Sequence, residues 1–343
     1  MTGNKNQVKL NDISKSGKKR PWSEKKILNE YLATAYDNIN SDKATRLREC
    51  ATWLKFKDGL LNKANFCRVR LCPMSAWRRG LKIYAHTMAI MDGMATEKEY
   101  GYIFVTFTLR NCNGNELSAN IDNMMKSWNK FTKYARFKSA VKGWYRGLEV
   151  VHDANEFITK DMYYGNSKKH LKPKKDYYKR LGLSVGDLNP NFDMYHPHFH
   201  CVFAVNKSYF KNKEYIDQKE WVQLWKKAMR LDYIPVVDVR KVKGTTAKAV
   251  SEIAKYAVKD SDYIIPEDWE LTVNTVRLLD KVLDKRRLVA YGGKFKEWHK
   301  KLNLDDEVDG DLVVTGEELG IDEKEEKIEY YSWNIGYQLY IRE

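Results

Sequence analysis

Residues 195–205 read Tyr-His-Pro-His-Phe-His-Cys-Val-Phe-Ala-Val, and three of the chain's seven histidines stand there at alternate positions. A β-strand sends successive side chains to opposite faces, so His196, His198 and His200 share one face. On the other face Phe199, Cys201, Phe203 and Val205 form an unbroken apolar row. That is the pattern of a strand with helices packed on one side and a site on the other. Imidazole is the commonest metal ligand, so the histidine face is a candidate metal site.

Further strand candidates lie around this one. In 102–109, Ile103, Val105, Phe107 and Leu109 fall on one face while Thr106 and Thr108 fall on the other; 144–151 and 234–242 also read as strands. Helical spacing predicts helices over 24–38, 76–94, 117–137 and 219–230, and another opening at Gly244-Thr245-Thr246 and running to Lys259. Strands of one sheet with interspersed helices make an α+β domain. The expected division is a mobile basic arm over 1–45, a helical subdomain with cysteines over 46–100, a main domain over 101–303 with a basic insertion at 152–194, and an acidic segment over 304–343.

The bulk numbers limit the classes of function. A chain of 343 residues, 43% of them apolar, buries a sizeable core. No stretch approaches the roughly 20 apolar residues of a membrane span, and the polar N-terminus lacks a signal-peptide core, so the expectation is a cytoplasmic protein with no membrane partner. Five cysteines are too few and odd in number for a disulfide framework. The net charge is +15, and it is uneven: 305–329 carries 12 acidic residues against two lysines, which leaves +25 elsewhere. Such an excess suits a polyanion, and 22 Tyr and 10 Trp offer faces on which unpaired bases could stack.

A second constellation lies on the helix that ends at Lys259. Val250, Ile253, Ala254 and Ala257 follow the spacing of a buried stripe. At about 100° per residue, Glu252, Tyr256 and Lys259 lie together on the opposite side. Phenol has a pKa of about 10, so a neighbouring cation such as Lys259 would help Tyr256 act as a nucleophile at neutral pH. Glu252 could take a proton from water or a sugar hydroxyl. A Glu/Tyr/Lys face is otherwise an ordinary solvated helix surface.

Together the constellations resemble the HUH endonucleases, and more narrowly the single-tyrosine class of rolling-circle plasmid replication initiators. The segments FVTFTLRN (104–111), RGLEVV (146–151), YHPHFHCVFAV (195–205), SEIAKYAVKDSDY (251–263) and KRRLVAYGGKFKEWHKKL (285–302) carry the likeness in the family's order. The resemblance implies an antiparallel sheet with helices on one face. It makes His198 and His200 the HUH pair, Glu149 the third ligand of a divalent ion (Mn²⁺ or Mg²⁺), and Tyr256 the nucleophile. It assigns Glu252 to the terminating cleavage and completes Tyr-x-x-Lys with Lys259. His196 falls outside the pair, as a supporting residue, a substrate contact or a plain strand-start residue. The implied substrate is single-stranded or hairpin origin DNA, and the implied partners are the host's replication helicase and polymerase.

Cys67 and Cys72, with Cys50 upstream, resemble a cysteine cluster of the same family whose fourth position here is Ser75. Three thiolates could hold a structural zinc, or the residues are ordinary buried cysteines. Arg78 and Arg79 beside them are candidate phosphate contacts. In the insertion, Lys168, Lys169, Lys172, Lys174, Lys175, Lys179 and Arg180 interleave with tyrosines, including Tyr177 and Tyr178. That composition suits single-stranded or hairpin DNA, although a solvated surface would look the same. The rival functions are a relaxase or transposase of the HUH type and a non-catalytic origin-binding protein. Relaxases usually carry the tyrosine before the histidine motif, whereas Tyr256 follows it.

Overall fold

The computed structural model describes residues 8–11, 13, 17, 19–165, 174–242, 259–306, 310–315 and 327–343. Chain order gives α1 (Trp22–Asp37), α2 (Ser41–Glu49), β1 (Trp53–Lys57), β2 (Leu60–Ala64), α3 (Pro73–Glu97), β3 (Tyr100–Thr108), α4 (Gly114–Phe131), α5 (Ala135–Ala140) and β4 (Val141–Asp153). After these come α6 (Lys160–Tyr164), α7 (Lys175–Arg180), β5 (Met194–Asn206), α8 (Gln218–Met229), β6 (Val237–Lys241), α9 (Trp269–Leu283), β7 (Val289–Gly293), α10 (Lys294–Lys301), β8 (Ile328–Asn334) and β9 (Leu339–Arg342). The class is α+β, with two antiparallel sheets of order β6-β3-β5-β4-β7 and β2-β1-β8-β9.

The histidine-bearing strand is the centre of the larger sheet. Its apolar row, Phe199, Cys201, Phe203 and Val205, is buried against an aromatic layer from α4, α5 and α8. Phe107 of β3 meets Phe131 at 5.1 Å and Trp225 at 5.0 Å, and Phe137 meets Phe203 at 5.3 Å. Edge-to-face and tilted rings of this kind add to the area they remove from water. The histidine face is divided along its length. Beyond His200 it is roofed by α3 and α10, whose Ile83, Ile90, Met91, Phe295 and Trp298 pack on Val202, Ala204 and Tyr291. The roof turns directly out of β7 at Gly293. There φ is +54°, and an added Cβ would stand 2.4 Å from the Lys142 carbonyl oxygen, so glycine alone fits.

Two segments differ from their sequence expectation. Residues 22–37 form α1, the helix expected over 24–38, but not as part of a mobile arm: Trp22, Leu32, Ala33 and Tyr36 are buried in the main core. The Tyr36 hydroxyl donates to Asp280 of α9 at 2.6 Å, which ties the helical N-terminal region to the main sheet's helices. Residues 328–342, expected within an acidic segment, form β8 and β9 and complete the small sheet. Earlier residues of that segment hold α3. Asp305 pairs with Lys82, and the carbonyls of Leu312 and Val313 accept from Arg78. No helix among the described residues is long and apolar enough to cross a membrane.

Candidate active site

Register brings the three expected ligands together. β4 pairs with β5 so that Glu149 lies opposite His198 and Gly147 opposite His200; side chains at directly opposed positions share a face. His200 Nε2 is 2.7 Å from Glu149 Oε2, His198 Nε2 is 3.5 Å from the same oxygen, and the two imidazole nitrogens are 3.1 Å apart. All three donor atoms lie within 4.8 Å of one another. The far side of each ring fixes its orientation. His198 Nδ1 donates to the His196 carbonyl at 3.1 Å, which leaves Nε2 with its lone pair toward the site. His200 Nδ1 is 3.1 Å from Thr106 Oγ1, and Phe104 stacks on the same ring at 5.4 Å.

Glu149 is buried, and burial opposes its ionisation. The adjoining His198 and His200 outweigh that penalty and hold its carboxyl well below the usual carboxylate range. A buried carboxylate and two oriented imidazoles, all aimed at one point, fit a divalent ion. Two nitrogens with one oxygen donor suit Mn²⁺ better than the oxygen-preferring Mg²⁺.

Lys259 extends the cluster, with its Nζ 3.8 Å from Glu149 Oε1. The segment after it is anchored from two sides. His152, on the strand that carries Glu149, donates from Nδ1 to the Asp262 carbonyl at 2.9 Å, and the Tyr263 hydroxyl donates to the Leu71 carbonyl at 2.5 Å. Lys25 of α1 forms an ion pair with Asp260. Glu252 and Tyr256 lie outside the described residues. His196 is half-buried and stacks on His198 at 5.1 Å; burial pushes its imidazole down to about 4.

The cysteines expected to cluster also converge. Cys50 Sγ is 3.6 Å from Cys72 Sγ, and Ser75 Oγ is 3.9 Å from Cys50 Sγ and 3.8 Å from Cys67 Sγ. Burial pushes the Cys50 thiol up and that of Cys67 to about 12. Burial acts the same way on Cys72, but hydrogen bonds from Cys50, Cys67 and Ser75 reverse the outcome and hold it down. Three sulfurs and one oxygen around a common point fit a tetrahedral ion.

Several expected DNA contacts need correction. Arg78 and Arg79 are buried: Arg78 Nε donates to the Leu312 carbonyl at 2.9 Å, and Arg79 donates to the Arg68 carbonyl at 2.9 Å. Their donors serve backbone carbonyls and, for Arg78, also the Thr315 hydroxyl, rather than phosphates. Tyr178 is fully buried and stacks on Tyr163 at 6.0 Å, so it has no ring face for a base. The Tyr177 hydroxyl, 3.4 Å from Asn191 Nδ2, belongs to a half-buried side chain. Lys174 faces Asp153 at 3.9 Å, and Lys175 lies over the Tyr164 ring at 5.6 Å. Lys179 and Arg180 are exposed, while Lys168, Lys169 and Lys172 lie outside the described residues.

Thr106 is the site residue that the sequence reading did not single out. Its signal was present, because the alternation of 102–109 sends Thr106 and Thr108 to the face away from the apolar row.

The family model described as "Replication protein" matches residues 58–341 of the chain. A protein rep from Bacillus amyloliquefaciens is 38% identical over 90% of this chain and 90% of its own length. Another, from a Bacillus species, is 40% identical over 79% of this chain and 84% of its own. A third, from Streptococcus pneumoniae serotype 2, is 32% identical over 96% of this chain and 94% of its own. No solved structure matches.

Proposed function

The chain belongs to the replication protein family, to which the proteins named rep are similar, and from that premise we propose that it is a plasmid replication initiator that nicks one strand of its origin DNA through Tyr256 to start rolling-circle replication. The observation that carries this reading is the convergence of Glu149, His198 and His200, with Lys259 at 3.8 Å from the carboxylate. A divalent ion bound there would polarise the scissile phosphate and offset the charge gathering on its oxygens. Tyr256 Oη attacks phosphorus and the bond to the 3′-oxygen breaks, leaving a 5′-phosphotyrosyl link and a 3′-hydroxyl that primes a polymerase. Lys259 follows Tyr256 by three residues in the sequence and reaches the Glu149 carboxylate, and its ammonium would stabilise the phenolate as the proton leaves. In the terminating cleavage Glu252 takes a proton from water, the role a second tyrosine would otherwise fill.

Thr106 and the His196 carbonyl orient the imidazoles, so the ligand set is formed before any substrate arrives. Cys50, Cys67 and Cys72, with Ser75 beside them, would hold a structural zinc. The host's helicase and polymerase act on the primed strand.

The test uses a single-stranded oligonucleotide spanning the origin's nick site, with Mn²⁺ or Mg²⁺ present. The protein forms a covalent adduct seen as a shifted band on a denaturing gel. Tyr256→Phe abolishes it, whereas Glu252→Ala retains the first nick and loses release. An adduct of equal yield from Tyr256→Phe removes Tyr256 as the nucleophile. Specific binding without any adduct from the wild type would leave an origin-binding protein instead.

A further inference from the structure

The small sheet lies apart from the ligand triad in the topology, and one of its faces sets exposed rings beside lysines. Along β1, Leu54 and Phe56 point into the core while Trp53, Lys55 and Lys57 point out; along β8, Tyr331 points in while Ile328, Tyr330 and Ser332 point out. Register sets Trp53 opposite Ser332, Lys55 opposite Tyr330 and Lys57 opposite Ile328. Trp53, Tyr330 and Ile328 are 41%, 45% and 42% exposed. A cleft of about 470 Å³ opens there, between Trp53 and Tyr330, with Thr52, Ser332 and Glu343 along it.

Two features of this face concern charge. Lys55 lies directly opposite Lys63 on β2. Like charges in opposed positions destabilise a sheet, and a bound anion removes that cost. Lys55 Nζ also sits 5.3 Å from the centre of the Tyr330 ring, so cation and stacking surface occupy one place. At the cleft, Glu343 hydrogen-bonds Ser332, and its carboxylate can accept from the exocyclic amino group of a base.

We infer that this face, Trp53 and Tyr330 with Lys55, Lys57 and Lys63, binds single-stranded DNA by stacking unpaired bases on the two rings and pairing the lysines with phosphates. The choice of DNA rests on the proposed nicking function. The face itself, assembled from strands whose paired residues lie more than 270 positions apart in the chain, does not depend on Tyr256. It would hold unpaired origin DNA while the triad acts on another part of the same strand.

The experiment measures binding of a fluorescein-labelled oligothymidylate by the full-length protein, through fluorescence anisotropy. Trp53→Ala and Tyr330→Ala each weaken binding by about tenfold, within the range of one lost base stack. Lys55→Gln with Lys63→Gln lowers the slope of log affinity against log salt by about 0.7 per lysine. Trp53→Phe keeps the affinity but loses part of the tryptophan quenching that the oligonucleotide produces, so stacking is read without disturbing the fold. A short nick-site oligonucleotide still gives the covalent adduct with Trp53→Ala. Unchanged affinity in both alanine variants overturns the inference, as does wild-type binding to duplex that is tighter than to the single strand and indifferent to Trp53. If the wild type forms no adduct while the alanine variants still weaken binding, the nicking reading fails and this one stands.

Discussion

Thr106 determines how well the candidate site is formed before substrate binds. Its hydroxyl, 3.1 Å from His200 Nδ1, fixes which way that ring faces, and the Glu149 carboxylate fixes the other end at 2.7 Å. Without the hydroxyl the ring keeps its stacking on Phe104 but loses the partner that selects its tautomer. Losing such an outer partner of a metal-ligating histidine typically costs about 10- to 100-fold in metal affinity. Thr106→Val, nearly the same size, is therefore expected to raise the Mn²⁺ concentration for half-maximal adduct formation by at least about tenfold. The maximal yield at saturating metal should change little. A titration curve that superimposes on the wild type would show that the hydroxyl does not orient the ligand.

The cysteine cluster belongs to the scale of elements, because it joins three of them. Cys50 caps the C-terminus of α2, Cys67 lies in the connection after β2, and Cys72 is the N-cap of α3. An ion there would lock both helices to the hairpin, and the missing fourth thiolate limits how tightly it is held. Ser75 is the position to change. Its Oγ is 3.8 Å and 3.9 Å from two of the sulfurs, and a cysteine sulfur in its place would complete four protein ligands. Ser75→Cys is expected to keep zinc through dialysis against a chelator that strips the wild type, and to raise the melting temperature only when zinc is present. Equal loss of zinc from both proteins would contradict the assignment.

Elements were legible in the sequence where their signals are local. Alternation located β3 and β5 and named the histidine face, and helical spacing located α4 and α8, because a strand or helix writes its own period into consecutive residues. The third member of the cluster was harder. Glu149 is 49 positions from His198, and only strand register, or a family's motif order, places them together. Arg78 and Arg79 misled for a related reason: a dibasic pair on a helix reads as surface, yet α3 is covered by residues 310–315 on one side and by the loop after β2 on the other. The C-terminal strands left no local trace as partners of β1, since their pairing spans most of the chain.

That long-range pairing makes the molecule's two ends one unit. β8 lies between β1 and β9, and the buried faces of Tyr331 and Tyr340 pack with Leu54, Phe56 and Trp22 in the same core that runs beneath the large sheet. The Tyr340 hydroxyl donates to the Ala51 carbonyl at 2.6 Å, and backbone bonds join Leu10 to Tyr340 and Val8 to Arg342. Burying one large apolar side chain contributes about 1.5–3 kcal/mol, so Tyr331 and Tyr340 together account for about 3–6 kcal/mol. A typical domain is stable by only about 5–15 kcal/mol in total. Removing residues 328–343 is therefore expected to lower the urea midpoint by about a third or more, and to open new protease cuts between residues 50 and 72. The large sheet keeps its own aromatic layer of Phe107, Phe131, Trp221 and Trp225, so its strands should stay protected from hydrogen exchange after those of the small sheet have lost protection. An unchanged midpoint would mean that β8 and β9 decorate the N-terminal hairpin without supporting it, and a simultaneous loss of protection in both sheets would make the chain a single cooperative unit.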